Sequence, residues 1–311
     1  MRSTVVIGAT AAALTVAPLL AQQTFRTGVD LVHFAVVVTD KQGAPITGLT
    51  PDDFELVEDG KRQTISYFAE GDPSEGTKLG NALPLHLGLA LDTSGSMEAD
   101  IREVRTAVVK FLNANESAAD VTLVNFDTEV RISRYAATEY QRLIERIRMQ
   151  KPEGWTAFYD AIGVYLHGAA SQNGQKILLV YTDGGDTRSA ITLHELLDLL
   201  KASDVTLYVI GYLEQYPSSA RTEQRMQLQR MALTTGGQAF FPMSLKDLDK
   251  VYEGIQREIA ARYSLGYVSS NTRADGGWRR VQVRLNRPDL KNVKIRTRPG
   301  YFAPYREGSG R

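Results

Sequence analysis

The stretch Leu85-His-Leu-Gly-Leu-Ala-Leu-Asp92-Thr93-Ser94-Gly95-Ser96-Met97 decides how the rest of the chain is read. Leu85 to Leu91 is an apolar run of the length and kind expected of a strand buried on both faces of a parallel sheet. The polar loop Asp92 to Ser96 follows at once. Beyond it Met97, Ile101, Val104, Val108, Phe111 and Leu112 recur at helical spacing. A strand, an oxygen-rich loop and a helix thus succeed one another. In open parallel sheets the carboxyl ends of strands are where ligands bind. The Asp-x-Ser-x-Ser spacing sets one carboxylate and two hydroxyls on a single tight turn, with Gly95 supplying backbone freedom. All three are oxygen donors, which suit a hard cation such as Mg²⁺ or Ca²⁺. Taken alone, the same residues also fit a helix N-cap.

Outward from this stretch the alternation of strand and helix continues to about Arg262. Strands are expected at Val121–Phe126, near Val130, at Lys176–Tyr181, Val205–Ile210 and Ala239–Phe241. Helices are expected from about Glu139, and at Phe158–Ala170, Leu193–Leu200, Glu223–Leu233 and Leu245–Ala261. Such alternation predicts an α/β domain, a doubly wound and mostly parallel sheet with helices on both faces, over residues 82–262.

Both flanks read differently. Residues 29–70 carry strand patterns at Asp30–Asp40, Phe54–Glu58 and Gln63–Phe68, with Asp59-Gly60 as a hairpin signal. Residues 263–305 carry them at Tyr263–Val268, Trp278–Leu285 and Val293–Thr297, with Asp275-Gly276-Gly277 as a turn. Neither flank has enough strands to stand alone. Together they supply six or seven, so the expectation is one immunoglobulin-like β-sandwich into which the α/β domain is inserted. Residues 71–81 read as a linker. Within it Gly71-Asp-Pro-Ser-Glu-Gly76-Thr77-Lys78 mimics a phosphate loop, but Thr and Lys are reversed and no strand leads into a helix there.

At the N-terminus, Arg2 precedes the apolar run Val5–Leu20, which ends near Ala21. Residues 1–21 therefore read as a secretory signal peptide, residues 22–28 as a tail, and residues 306–311 as a disordered tail. The expected location is extracytoplasmic (secreted, periplasmic or surface), with no membrane span in the mature chain.

Composition narrows the function. The chain has 311 residues with 36 basic and 36 acidic side chains, so no charge imbalance favours nucleic acid. With no cysteine, disulfides, thiol catalysis and cysteine-held zinc are excluded. Ser94 lacks the Gly-x-Ser-x-Gly frame of a hydrolase elbow. Ser94 also stands where a dehalogenase-type enzyme would need a second acid. None of the four histidines, His33, His86, His167 and His194, has metal-ligand spacing. The basic residues Arg279, Arg280, Arg284, Arg287, Lys291, Lys294, Arg296 and Arg298 alternate with apolar ones, which predicts a solvated strand face.

Two further segments join the first. Gly154-Trp155-Thr156-Ala157-Phe158-Tyr159-Asp160-Ala161 is a Gly-x-Thr loop before a helix. Val180-Tyr181-Thr182-Asp183-Gly184 is an apolar strand ending in Thr-Asp-Gly. In this order, with Asp92-Thr93-Ser94-Gly95-Ser96, they resemble the von Willebrand factor A family and its metal-ion-dependent adhesion site, over about residues 81–262. The flanks and Tyr263-Ser-Leu-Gly-Tyr267 resemble its branch of von Willebrand factor A-related acidobacterial proteins. The resemblance implies a divalent cation, Mg²⁺ foremost with Mn²⁺ or Ca²⁺ as alternatives. Asp92, Ser94, Ser96, Thr156 and Asp183 would hold it. Ser94 and Ser96 would bind directly, Thr156 directly or through water, and Asp92 and Asp183 mostly through water. Trp155 stands where the family more often has Gly. The implied partner is a protein offering an exposed Asp or Glu, and no enzymatic activity is expected. Two alternatives are a scaffold whose sandwich binds the partner and an accessory subunit that recruits an enzyme. Asp127, Asp160 and Asp186 are expected to stabilise loops rather than ligate. The sequence sets no oligomeric state.

Overall fold

The computed structural model describes residues 31–71 and 83–305. The expected signal peptide (1–21), the tails (22–28 and 306–311) and almost all of the linker (71–81) lie outside the described residues.

The apolar run before the serine loop is strand β5 (Leu85–Asp92), with all eight residues buried. Beside it lies β8 (Gln175–Thr182), equally buried. With β6 (Asp120–Phe126), β7 (Val130–Ala136), β9 (Thr206–Gly211) and β10 (Gln238–Phe240) they form one six-stranded sheet in the order β10-β9-β8-β5-β6-β7. All neighbours run parallel except β7, which returns antiparallel to β6 at the edge. Total burial follows from helices on both faces. Helices α1 (Ile101–Asn113), α2 (Tyr140–Met149) and α6 (Leu248–Ala260) pack against Leu85, Leu87, Leu89 and Leu91. Helices α3 (Phe158–Ala169), α4 (Leu193–Ala202) and α5 (Ser218–Thr234) cover Ala90, Val124, Leu178 and Val180. Successive strand residues therefore serve opposite cores, as the two-residue period of a strand requires.

The flanking strands build the expected shared sandwich. From the N-terminal side come β1 (Leu31–Thr39), β2 (Phe54–Glu58), β3 (Lys61–Gln63) and β4 (Ile65–Glu70). From the C-terminal side come β11 (Tyr263–Val268), β12 (Trp278–Leu285), β13 (Lys294–Arg296) and β14 (Gly300–Phe302). They form two four-stranded sheets, β13-β1-β11-β4 and β14-β12-β2-β3. Every one of the pairings β1–β11, β4–β11, β1–β13 and β2–β12 joins one flank to the other. Eight strands stand where six or seven were expected, with β3 and β14, of three residues each, adding to the strands read from the sequence.

Insertion costs the sandwich little distortion, since the chain leaves and re-enters from neighbouring strands. Glu70 at the end of β4 faces Tyr263 at the start of β11. The Gly71 N–H donates to the Arg262 carbonyl at 2.9 Å. The two tyrosines of Tyr263-Ser-Leu-Gly-Tyr267 point into the sandwich core. Tyr267 and Tyr301 donate to the buried Glu58 carboxylate at 2.7 and 2.9 Å, and Ser269 does so at 2.6 Å. Tyr263 donates to the Ile46 carbonyl and accepts from the Leu49 N–H.

The solvated basic face holds only in part. Arg284 and Arg280 are exposed, whereas Arg279 is buried against Asp275. Arg296 reaches the Gly236 carbonyl, Gln238 and the buried Glu258 of the α/β domain. Arg298 donates to the carbonyls of Ser203 and His33 and lies over the Phe34 ring at 4.5 Å. The joint between the two domains is thus tied by guanidinium groups, each a fork of donors that satisfies several acceptors at once.

Candidate metal site

The switch point of the sheet lies between β5 and β8. The chain leaves β5 toward β6 and leaves β8 in the opposite direction toward β9. Open α/β sheets bind ligands at this crevice, because the loops diverge there and leave a gap. Asp92 closes β5, and Asp183 directly follows Thr182 at the end of β8.

Asp92 is completely buried. Its Oδ1 accepts from the Ser94 N–H at 3.0 Å and from the Ser94 hydroxyl at 2.6 Å. Its Oδ2 accepts from the Thr182 hydroxyl at 2.8 Å. The Ser94 and Ser96 hydroxyl oxygens stand 3.1 Å apart. Ser94 is buried and Ser96 is exposed, so the pair opens toward solvent on one side. Ser94 precedes a 3-10 turn, Gly95–Ala99, yet makes no side-chain cap to it. Its hydroxyl is turned to Asp92 instead, which removes the N-cap reading.

The third loop is fastened to the first by backbone hydrogen bonds. Glu153 N–H donates to the Thr93 carbonyl at 2.9 Å, and Gly95 N–H donates to the Gly154 carbonyl at 3.1 Å. Gly154 has φ +74, and a Cβ there would sit 2.3 Å from the Thr128 hydroxyl. Glycine at 154 absorbs the sharp turn, so Trp155 fits where the family more often has Gly without displacing Thr156. The Trp155 N–H is held by the Thr128 hydroxyl at 3.0 Å. Thr156 is buried, with its N–H on the Thr187 hydroxyl at 2.9 Å and its carbonyl accepting from Thr187 and Arg188. All five residues expected from the sequence thus lie on the three loops at this rim.

Electrostatics at the rim favour a cation. Burial first, and the Asp183 carboxylate second, push Asp92 up to about 7. Burial likewise raises Asp183, against hydrogen bonding from Ser96 and Gln215. Asp183 Oδ2 is buried with no hydrogen-bond partner among the described residues. An unmatched buried acceptor costs roughly 1–3 kcal/mol, more when charged. A hard dication beside Ser94, Ser96 and Asp183 would satisfy that oxygen and offset the mutual repulsion of the two acids. The donor set therefore fits an oxygen-preferring cation such as Mg²⁺.

Sequence reasoning missed two contributors. Thr182 fixes the second oxygen of Asp92; its signal was its place before Asp183 at a strand end. Asp100, whose carboxyl is raised by burial and then by Asp183 and Glu103, adds a further acid close to the rim. The other acids keep to loop work. Asp127 accepts from the Glu129 N–H and pairs with Arg131. Asp160 accepts from the Ala190 and Ile191 N–H groups. Asp186 accepts from Tyr159 N–H at the start of α3 and from Ser189. Among the described residues no group of three or more His, Cys, Asp or Glu is arranged to hold a metal.

A doubly wound α/β domain with an oxygen-lined rim at its switch point is the class of protein that fold and site define. The sequence profile of the von Willebrand factor type A domain matches residues 86–254, more than half of the chain, and the chain belongs to that family. A comparison with curated proteins gave no match. Among solved structures, the PilB minor pilin from Streptococcus sanguinis is 14% identical, with 57% of this chain and 61% of that chain covered and a TM-score of 0.47. The vWF domain of the type V pili tip protein Mfa5 from Porphyromonas gingivalis is 13% identical, covering 57% and 95% respectively, with a TM-score of 0.49. A von Willebrand factor type A protein from Catenulispora acidiphila is 12% identical, covering 92% and 76%, with a TM-score of 0.48. This chain thus spans less than two thirds of the pilin's length.

Proposed function

We propose that the chain is an extracytoplasmic binding protein whose α/β domain captures a partner through a divalent cation, without catalysing a reaction. The observation that carries this reading is the pair of serine hydroxyls 3.1 Å apart beside the buried Oδ2 of Asp183, which has no hydrogen-bond partner among the described residues. Ser94, Ser96 and Thr156 would hold the cation by their hydroxyls, and Asp183 and Asp92 would act on it mostly through bound water. Asp92 is already committed to three hydrogen bonds, from Ser94 twice and Thr182 once, so its role is to aim Ser94. Bound there, the cation supplies Lewis acidity toward an incoming oxygen ligand. Neutral hydroxyls leave much of its charge uncompensated, and a small dication seeks about six oxygens. A carboxylate from an Asp or Glu of a partner protein meets both needs, entering from the solvent side at Ser96. Mg²⁺ is the cation proposed, with Mn²⁺ or Ca²⁺ as substitutes.

Export is proposed from the apolar segment 1–21. No helix among the described residues is long and apolar enough to cross a membrane. Capture of partners from native extract tests the reading. Capture is expected in Mg²⁺, and is expected to be lost in EDTA and in Ser94→Ala. Capture that persists in all three conditions would remove the cation from the mechanism and favour a surface of the sandwich.

A further inference from the structure

We infer that Trp155 is the specificity-determining residue of the rim, reading a large apolar side chain next to the partner's metal-seeking carboxylate. This rests on the cation-dependent capture proposed above. Trp155 is 66% exposed. Among the described residues its indole has no hydrogen bond or ring partner, although its backbone is tightly held. On one side Gly154 accepts from Gly95 of the serine loop, and Trp155 N–H is held by Thr128. On the other side Thr156 is tied to Thr187. The three successive residues Glu153, Gly154 and Trp155 are exposed, and the next three are buried. The chain thus raises one aromatic side chain out of the rim on a fixed backbone and then dives back into the core.

Leaving an indole in water forfeits the burial that large aromatic side chains ordinarily obtain. Pinning its backbone from both sides lowers the ordering cost of binding, which makes a preorganised anchor effective. Trp is among the residues that most often carry interface affinity. The chemistry of the flanking group follows from the neighbouring site. An under-neutralised dication repels a Lys or Arg laid on the adjacent indole, which removes the cation–π alternative. A polar residue gains nothing there that water does not already give. The occupant that fits is a Leu- or Phe-sized side chain adjacent to the acid.

The test uses the full mature chain and short labelled peptides with one central Asp, flanked by Leu, by Ser or by Lys. Affinity is measured in Mg²⁺ and in EDTA, with Mn²⁺ binding to the protein alone measured in parallel. In Mg²⁺ the Leu-flanked peptide should bind about tenfold more tightly than the Ser-flanked one, as expected for a hot-spot aromatic, and the Lys-flanked one least. Trp155→Ala should level the Leu and Ser peptides while keeping both Mg²⁺-dependent. Trp155→Phe should restore part of the preference. Mn²⁺ affinity should be the same in all three proteins. Mg²⁺-dependent binding without a Leu preference, or a preference that survives Trp155→Ala, would overturn the inference and leave the cation reading standing. A fall in Mn²⁺ affinity in Trp155→Ala would also overturn it, by making the residue a support for the loop. Absence of Mg²⁺-dependent binding for every peptide would sink the cation reading and the inference together.

Discussion

At the scale of single residues, the rim is a place where the fold accepts unfavourable terms. Among the described residues Asp183 buries an oxygen with no hydrogen-bond partner, and burial and then Asp183 push Asp92 up to about 7. Asp183→Asn should therefore raise the stability of the metal-free protein, because it removes the buried carboxylate charge that repels Asp92. The same change should abolish stabilisation by Mg²⁺. Thermal denaturation in EDTA and in Mg²⁺ reads both effects, and Mg²⁺ stabilisation equal to that of the unmodified protein would contradict the assignment. Gly154→Ala should lose about 1–2 kcal/mol from the left-handed backbone alone. The close approach of its Cβ to Thr128 adds to that loss. Chemical denaturation measures it, and a neutral result would mean that the turn can relax. The rim positions of Asp92, Ser94, Ser96, Thr156 and Asp183 were legible because each stands at the end of a recognisable strand or ahead of a helix. Thr182 was not singled out, because its place before Asp183 at a strand end does not show that its hydroxyl turns to Asp92 on the neighbouring strand.

At the scale of elements, the helices and central strands followed their periodicity, and boundaries moved where local chemistry intervened. The helix expected to begin at Glu223 starts at Ser218, just after Pro217. Proline is tolerated in a first helical turn or just before it because no N–H is lost there. Strand β7 is seven residues long although mostly exposed, since it needs only β6 as a partner. His33 in β1 is held below its ordinary value, chiefly by burial, with Arg298 and Lys176 acting in the same direction against Asp204. Its unfolded value is about 6.5. The unfolded chain thus binds the proton more readily, and stability should fall as pH drops below about 6.5. His33→Gln should flatten that part of the pH–stability curve, and an unchanged slope would assign the acid sensitivity elsewhere. Element α6 carries Glu258, which is buried beside Tyr208 and Arg296. Arg296→Ala would remove the guanidinium paired with this carboxylate while leaving it the Tyr208 hydroxyl, and should cost up to about 3–5 kcal/mol, the range for breaking one side of a buried pair. Urea unfolding tests it, with a cost under 1 kcal/mol counting against a buried tie, since exposed pairs contribute no more than about that.

At the scale of the whole molecule, the chain is one domain threaded through another. Strands β1 and β4 find their partner in β11, about two hundred residues away in sequence, and β2 finds its partner in β12. Residues 29–71 expressed alone should therefore remain unfolded by circular dichroism, having lost a neighbour for three of their four strands. An independently folded fragment would refute the shared sandwich. The joint also redistributes charge. Alternating arginines in the C-terminal segment read as a wet strand face, but Arg296 and Arg298 are spent on the contact with the α/β domain. Alternation shows which residues share a face. It does not show whether that face meets water or another domain.

The amino-acid order alone determined the alternating α/β core, the β character of both flanks and the three oxygen-bearing loops. These depend on local period and on strand-to-helix junctions, which are written within a dozen residues of each other. Only the tertiary structure decided how the flanks interleave, which arginines are buried, and that a left-handed Gly154 lets Trp155 stand out of the rim while Thr156 stays in. Those outcomes rest on pairings between distant segments, on competition between water and a neighbouring domain, and on backbone angles that no local pattern encodes.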